Sequence, residues 1–344
     1  MRSDKDLNLL REMIDNGMSR RAISRELDIP RTTIRRWLKE LEQYSPDFKA
    51  QPLQDGEIDI KDILIYKRKV TERKLGAHQQ RAVDIQIKLQ GPVGILHFGD
   101  PHIDDDGTDL KALERDMALV KQTDGLLCGN LGDTTNNWVG RLARLFAEQT
   151  TTARQAVMLA QWFIEQLAEH MVYMIGGNHD MWSGATDPLR WFMQSASGIY
   201  KPHQARMALT FPNKRKVTMR AHHQFKGHSQ WNTAHSISKA ATMGYRDNIL
   251  LAGHRHISGY QQVVDPSSGL ISHCIQVGSY KIADDYPQAH GMIPQQISPS
   301  VVTIIDPAAT RETALVQVFT DTELAADFLK FKRRKIGGRD GQKQ

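Results

Sequence analysis

The residues able to do hydrolytic chemistry fall in five short stretches, each directly after an apolar run. They are Asp100-Pro101-His102, Gly132-Asp133, Gly177-Asn178-His179-Asp180, Arg220-Ala221-His222-His223 and Gly253-His254-Arg255-His256. Mixed oxygen and imidazole donors suit Mn, Fe or Zn better than Ca or Mg. A cation held by such donors can generate a strong nucleophile at neutral pH and neutralise negative charge on a substrate's oxygens. No cysteine lies in the five stretches, which argues against a structural zinc site. Singly, each stretch has a plainer reading. A histidine after an apolar run is ordinarily core, Asp133 alone could be a helix N-cap, and Gly177-Asn178 could be a turn. Turns and caps do not account for five ordered stretches that each end a strand-like run. For His97, His203, His228, His235 and His273 the packing reading stands.

The elements that must position these residues follow from the pattern around them. Val93–Phe98 reads as a buried strand, Leu110–Lys121 as a helix, and Gly125–Cys128 as a strand leading to Gly132-Asp133. Helices are expected over Trp138–Phe146 and Ala153–Ala168, then a strand over Val172–Ile175. Such alternation predicts βαβ units, a largely parallel first sheet, and a site at the strand ends. After Lys201 the strands come close together: Arg206–Phe211, Val217–Ala221, Ile249–Ala252, Tyr260–Val264, Ile271–Val277, Val301–Ile305 and Ala314–Val318. They predict a second, mostly antiparallel sheet packed on the first. Residues 226–247 form an insertion carrying His228, Trp231 and His235, and long loops beside a site are often functional.

The ordered set Asp-x-His, Gly-Asp, Gly-Asn-His-Asp, a histidine, then Gly-His-x-His resembles the calcineurin-like metallophosphoesterases. The resemblance spans residues 100–256 and implies an α/β fold, a two-sheet sandwich flanked by helices. It implies two divalent metal ions, Mn first and Fe or Zn as alternatives. Asp100, His102, Asp133 and His256 would hold one metal. Asp133, as the bridge, with Asn178, His222 and His254 would hold the other. Two histidines stand at the fourth motif; His222 comes first after the strand and is preferred, with His223 the alternate. His179 would protonate the leaving oxygen or stabilise the transition state, and Asp180 would orient it. A metal-bound hydroxide would be the attacking group.

Ahead of this lies a separate organisation. Residues 1–44 read as three short helices. Leu7, Leu9, Leu10, Met13 and Ile14 stripe the first, and Ser19 is the N-cap of a second carrying Ala22, Ile23 and Leu27. Asp28-Ile29-Pro30 makes the turn, and Ile34, Trp37, Leu38 and Leu41 line the third. Helix, short turn, helix is a helix-turn-helix arrangement and resembles the resolvase or transposase type of DNA-binding domain. Its third helix would offer Arg31, Thr32, Thr33, Arg35 and Arg36 to a major groove. Residues 45–90 divide into a polar linker, a strand-like stretch from Ile58 to Tyr66, and a charged, helix-like stretch from Lys67 to Val83. The metallophosphoesterase domain is expected over 91–325, and 326–344 is a basic C-terminal tail with Lys330, Lys332, Arg333, Arg334 and Lys335.

The chain has 344 residues, 40% hydrophobic and 24% charged, with a formal charge of +6. That permits a polyanionic partner without requiring one. The two cysteines, Cys128 and Cys274, sit in apolar runs and read as reduced thiols of a cytoplasmic protein. No apolar run has membrane-spanning length, so no membrane partner is expected. The expected function is phosphate-ester hydrolysis on nucleic acid, as a nuclease or phosphodiesterase. The alternatives are a protein or small-molecule phosphatase and a DNA-binding regulator with little hydrolysis. The combination of parts resembles phage or mobile-element proteins.

Overall fold

The structure is a computed structural model and describes residues 4–43, 59–79, 82–181, 187–283 and 296–340. The chain forms two units, Met1–Gly76 and Ala77–Gln344. The linker expected over 45–57 lies outside the described residues.

In the first unit three helices surround a small apolar core: α1 (Asp4–Asp15), α2 (Arg20–Glu26) and α3 (Arg31–Gln43). Leu10, Ile23, Ile34 and Trp37 are buried together, with Met13, Ile14 and Leu27 packed on them. Ser19 caps α2 by accepting from the Ala22 N–H at 3.3 Å, which satisfies one of the helix's open donors. Asp28 takes a left-handed φ of 51°, turning the chain into Pro30 and α3. Arg31, Thr32, Arg35 and Arg36 are exposed and Thr33 is half-buried. Helix α4 (Ile60–Gln79) replaces the strand expected over Ile58–Tyr66. Ile60, Ile63 and Leu64 recur at helical rather than alternating spacing.

The second unit stacks two six-stranded sheets. The first sheet has the order β12-β11-β2-β3-β4-β5, with β2 (Val93–Phe98), β3 (Leu126–Asn130), β4 (Met171–Gly176) and β5 (Ile199–Pro202) mutually parallel. At its other edge β11 (Ser300–Ile305) and β12 (Val316–Phe319) run antiparallel. These two strands were expected in the second sheet. The second sheet has the order β1-β6-β7-β8-β10-β9. Its strands are β1 (Val83–Gln86), β6 (Gln204–Thr210), β7 (Lys216–His222), β8 (Ile249–Ala252), β9 (Gly259–Val264) and β10 (Ile271–Gln276). It is mixed rather than mostly antiparallel, because β7, β8 and β10 run parallel side by side and β1 pairs parallel with β6.

One core fills the space between the sheets, including Ile95, Tyr173, Met207, Met219, Ile249 and Ile275. A second lies on the outer face of the first sheet beneath α5 (Leu110–Gln122), α6 (Ala153–Leu167) and the C-terminal helix Thr322–Asp340, with Leu113, Phe163 and Leu329 at its centre. Residues 322–340 are thus a helix anchored by Ala325, Ala326 and Leu329, where a basic tail was expected from 326. Its Arg333 pairs with Asp124 at 2.8 Å. On the outer face of the second sheet, Ile237 and Ala241 cover Leu250 and Cys274. They belong to a helix, His235–Thr242, inside the expected insertion. The helix expected over Trp138–Phe146 is a 3₁₀ segment, Gly140–Ala147. Among the described residues no helix is long and apolar enough to cross a membrane, and both cysteines are buried free thiols. His97 is core, held between Tyr173 Oη and Thr303 Oγ1 at 2.8 Å each.

Candidate metal centre

Five strands, three parallel in one sheet and two parallel in the other, end at one place. β2, β3 and β4 of the first sheet run out into Asp100 and His102, Asp133, and Asn178. β7 and β8 of the second run out into His223, and into His254 and His256. The turns are laced together: the His102 N–H donates to Asp133 O and the Ile103 N–H to Thr134 O, both at 3.0 Å. His102, Asp133, His254 and His256 all have left-handed φ, of 39°, 49°, 72° and 51°. Such angles are uncommon for residues with a side chain and gather at functional sites. The motif glycines are explained by crowding. A Cβ on Gly177 would collide with the Asp133 carboxylate, and one on Gly253 with Asp100.

The donor atoms of His102, Asp133 and His179 lie within 4.8 Å of one another, and so do those of Asp133, His223 and His254. Asp133 is common to both groups. Its Oδ2 is 3.1 Å from His223 Nε2 and 3.9 Å from His179 Nε2. His223 Nε2 is also 3.0 Å from Asn178 Oδ1 and 3.1 Å from His254 Nδ1. Asp100 Oδ2 is 3.4 Å from His256 Nε2. The rings of His102 and His256 are 5.1 Å apart. Both Asp100 carboxylate oxygens and His102 Nε2 are buried without a hydrogen-bond partner. Orphaned polar atoms inside a protein are costly, and a divalent cation taking lone pairs from these oxygens and imidazole nitrogens would satisfy the set. The donors fit a metal pair.

The fourth motif corrects the sequence reading, because it is His223 and not His222 that joins the cluster. Side chains alternate along a strand. On β7 Val217, Met219 and Ala221 face the core, while Thr218, Arg220 and His222 face outward. His223 is the next inward position. His222 stacks on Phe225 at 4.3 Å on the far face. Asp180 is a second correction. Its carboxylate accepts from the Gly177 N–H at 2.8 Å and the Thr134 N–H at 3.0 Å, so it clasps the second and third motifs. The His179 ring is held instead by Asn136, whose carbonyl accepts from Nδ1 at 2.5 Å. Asn136 carried no signal in the sequence beyond lying three residues after Asp133.

Burial and mutual contact set the charges within the cluster. Burial pushes Asp100 well above the usual carboxylate range. Burial acts the same way on Asp133, but His223, His179 and His102 together outweigh it and hold Asp133 low. For His223 burial opposes the charge, yet Asp133 and then Asp100 raise it to about 10. The charged form of His223 is therefore favoured beside Asp133. Burial lowers His102 well below an ordinary histidine. Burial and then His223 lower His254 to about 4.

No curated protein matches the chain in sequence. Among solved structures, similar ones include Vps29 from Chaetomium thermophilum, at 14% identity and a TM-score of 0.34 over 66% of this chain and 95% of that one. The calcineurin-like phosphoesterase YfkN from Bacillus subtilis has 12% identity and a TM-score of 0.32, over 71% of this chain and 100% of that one. GAP50, the anchor in the inner membrane complex of Plasmodium, has 10% identity and a TM-score of 0.32, over 67% and 89%. Residues 7–53 match the family model of the helix-turn-helix domain, and the N-terminal unit is a helix-turn-helix domain.

Proposed function

We propose that the chain is a phosphoesterase dependent on two divalent metal ions, and that its helix-turn-helix domain brings it to DNA, where it hydrolyses a phosphodiester. The observation that carries this reading is the sharing of Asp133 between two donor groups, beside the orphaned oxygens of Asp100 and Nε2 of His102. Asp100, His102, Asp133 and His256 would hold one metal. Asp133, Asn178, His223 and His254 would hold the other. A bound pair supplies a water acidified toward neutrality and offsets the charge of the phosphoryl group.

The remaining work falls to the chain. His179 touches Asp133 through its backbone N–H, which donates to Oδ1 at 2.9 Å, so its ring is fixed at the edge of the cluster. An imidazole there is suited to give a proton to the leaving oxygen. Asp180 keeps the second and third motifs in register. In α3 the exposed Arg31, Thr32, Arg35 and Arg36, with Thr33, face a duplex, the arginines contacting phosphates. Manganese is the expected metal by donor type.

The test is an activity screen of Mn-loaded full-length protein on bis-p-nitrophenyl phosphate, single- and double-stranded DNA, a cyclic nucleotide and a phosphopeptide. Diester and DNA cleavage that chelation abolishes supports the reading. Cleavage of the phosphopeptide alone moves the protein to the phosphatases, and no turnover on any substrate leaves a DNA-binding regulator.

A further inference from the structure

Asn136 makes five hydrogen bonds in the metal-centre wall. Its N–H donates to Asp104 Oδ1 at 2.7 Å. Its Nδ2 donates to Asp105 Oδ2 at 2.7 Å and to Gln149 Oε1 at 3.2 Å. Its Oδ1 faces His102 Nδ1 at 2.8 Å, and its backbone carbonyl faces His179 Nδ1. Asn136 is fully buried.

The direction of every bond in this network is set from its ends. Lys281 Nζ, which can only donate, pairs with Asp105 Oδ2 at 3.0 Å, so that oxygen accepts. The Trp138 indole N–H, also donor only, reaches Gln149 Oε1 at 2.8 Å, which fixes the oxygen end of the Gln149 amide. The Gln149 Nε2 then donates to Thr151 O at 2.8 Å and Asp104 Oδ2 at 3.3 Å. With acceptors at Asp105 and Gln149, the NH2 of Asn136 must point at them. Its Oδ1 is left for His102, which must carry its proton on Nδ1. The Nε2 lone pair of His102 is then the one aimed into the cluster. The backbone carbonyl of Asn136 accepts only, so His179 also carries a proton on Nδ1, and the proton it exchanges is the one on Nε2.

We infer that Asn136 is a positioning residue that dictates the tautomers of both His102 and His179, with Lys281–Asp105 and Trp138–Gln149 fixing the orientation of its amide. This rests on the metal-pair reading for its purpose, but not for its content, since the tautomers follow from hydrogen bonds that involve no metal. A ligand histidine held through its other nitrogen keeps both ring orientation and basicity, and loss of such a partner costs about 10–100-fold in metal affinity.

The experiment is two-bond ¹H–¹⁵N correlation NMR of the histidine rings in full-length, metal-free protein, assigned with His102→Gln and His179→Gln, together with Mn²⁺ binding isotherms. Wild type should show a protonated Nδ1 on both rings. Asn136→Ala should release His102 to the other tautomer and weaken one Mn²⁺ site by about 10–100-fold, while His179, held by backbone, keeps its proton on Nδ1. Asn136→Asp retains the acceptor but sets a carboxylate against Asp105 Oδ2, so it should keep the His102 tautomer when combined with Asp105→Asn, whose amide can donate to it. Asp105→Asn should weaken the same site by a smaller factor. His102 protonated on Nε2 in wild type, or an unchanged His102 tautomer and Mn²⁺ affinity in Asn136→Ala, would overturn the inference. If Asn136→Ala does not fold, the spectra of the wild type and of Asn136→Asp with Asp105→Asn decide. A wild type with the stated tautomers but no Mn²⁺ binding would sink the metal reading and leave the positioning intact.

Discussion

Replacing His223 with alanine should separate two roles that the metal-free and metal-loaded proteins reveal in turn. Without metal, the His223 imidazolium compensates the Asp133 carboxylate, which is almost fully buried. Its pKa rises from 6.5 to about 10 on folding. A rise of that size corresponds to about 5 kcal/mol. Removing one partner of a buried pair independently suggests about 3–5 kcal/mol. The folded pKa lies above the unfolded one, so this stability is complete below pH 6.5 and lost as pH rises toward 10. In EDTA at pH 6.5, His223→Ala should lower Tm by roughly 6–20 °C for a domain of this size, and the gap to wild type should close by pH 10. His222→Ala removes a ring stacked on Phe225, but also a buried Nε2 without a partner. These effects oppose, so about 1 kcal/mol or less should remain. With Mn²⁺ added, elemental analysis should find one ion per chain in His223→Ala and two in His222→Ala. Equal stability of wild type and His223→Ala at pH 6.5, or loss of a metal only from His222→Ala, would refute the reasoning.

Asp133→Asn should prevent assembly of the metal pair as well as turnover, because an amide bridges two cations poorly; two tightly bound ions per mutant chain would contradict it. His179→Ala should keep both metals and lower kcat by about 10²–10⁴, the usual effect of an acid–base group, and metal analysis beside the rate checks both halves. Arg35→Ala with Arg36→Ala in the full chain should weaken duplex binding, flatten its salt dependence by about two phosphate contacts, and leave bis-p-nitrophenyl phosphate turnover unchanged. Anisotropy at two salt concentrations with the diesterase rate reads both.

The positions of the metal-binding candidates were legible because each ends a buried strand, and the chemistry of strand ends survives any detail of packing. The facing of the fourth motif was legible as well, had alternation from Met219 through Ala221 been carried one residue past the strand to His223. A motif order says which histidine pair matters but not which member faces inward. The strand misread over Ile58–Tyr66 shows the limit of a short apolar run, where alternation and helical spacing both find matches. Sheet membership of Val301–Ile305 could not be read, since a strand may return to either sheet and only long-range pairing chooses. Asn136 was invisible for a similar reason. Its partners Asp105, Gln149, His179 and, through Asp105, Lys281 are scattered along the chain and meet only in the fold.

The donors come from both sheets, three strand ends from one and two from the other. A cation seated among them would act as a clamp across the sandwich, joining segments from Asp100 to His256 in a closed loop. Separating the sheets would then require losing the ion first, so the rate of global opening, and with it resistance to proteases, would be set by metal release. Chelation would shorten the lifetime of the folded protein even under conditions where its equilibrium stability remains ample.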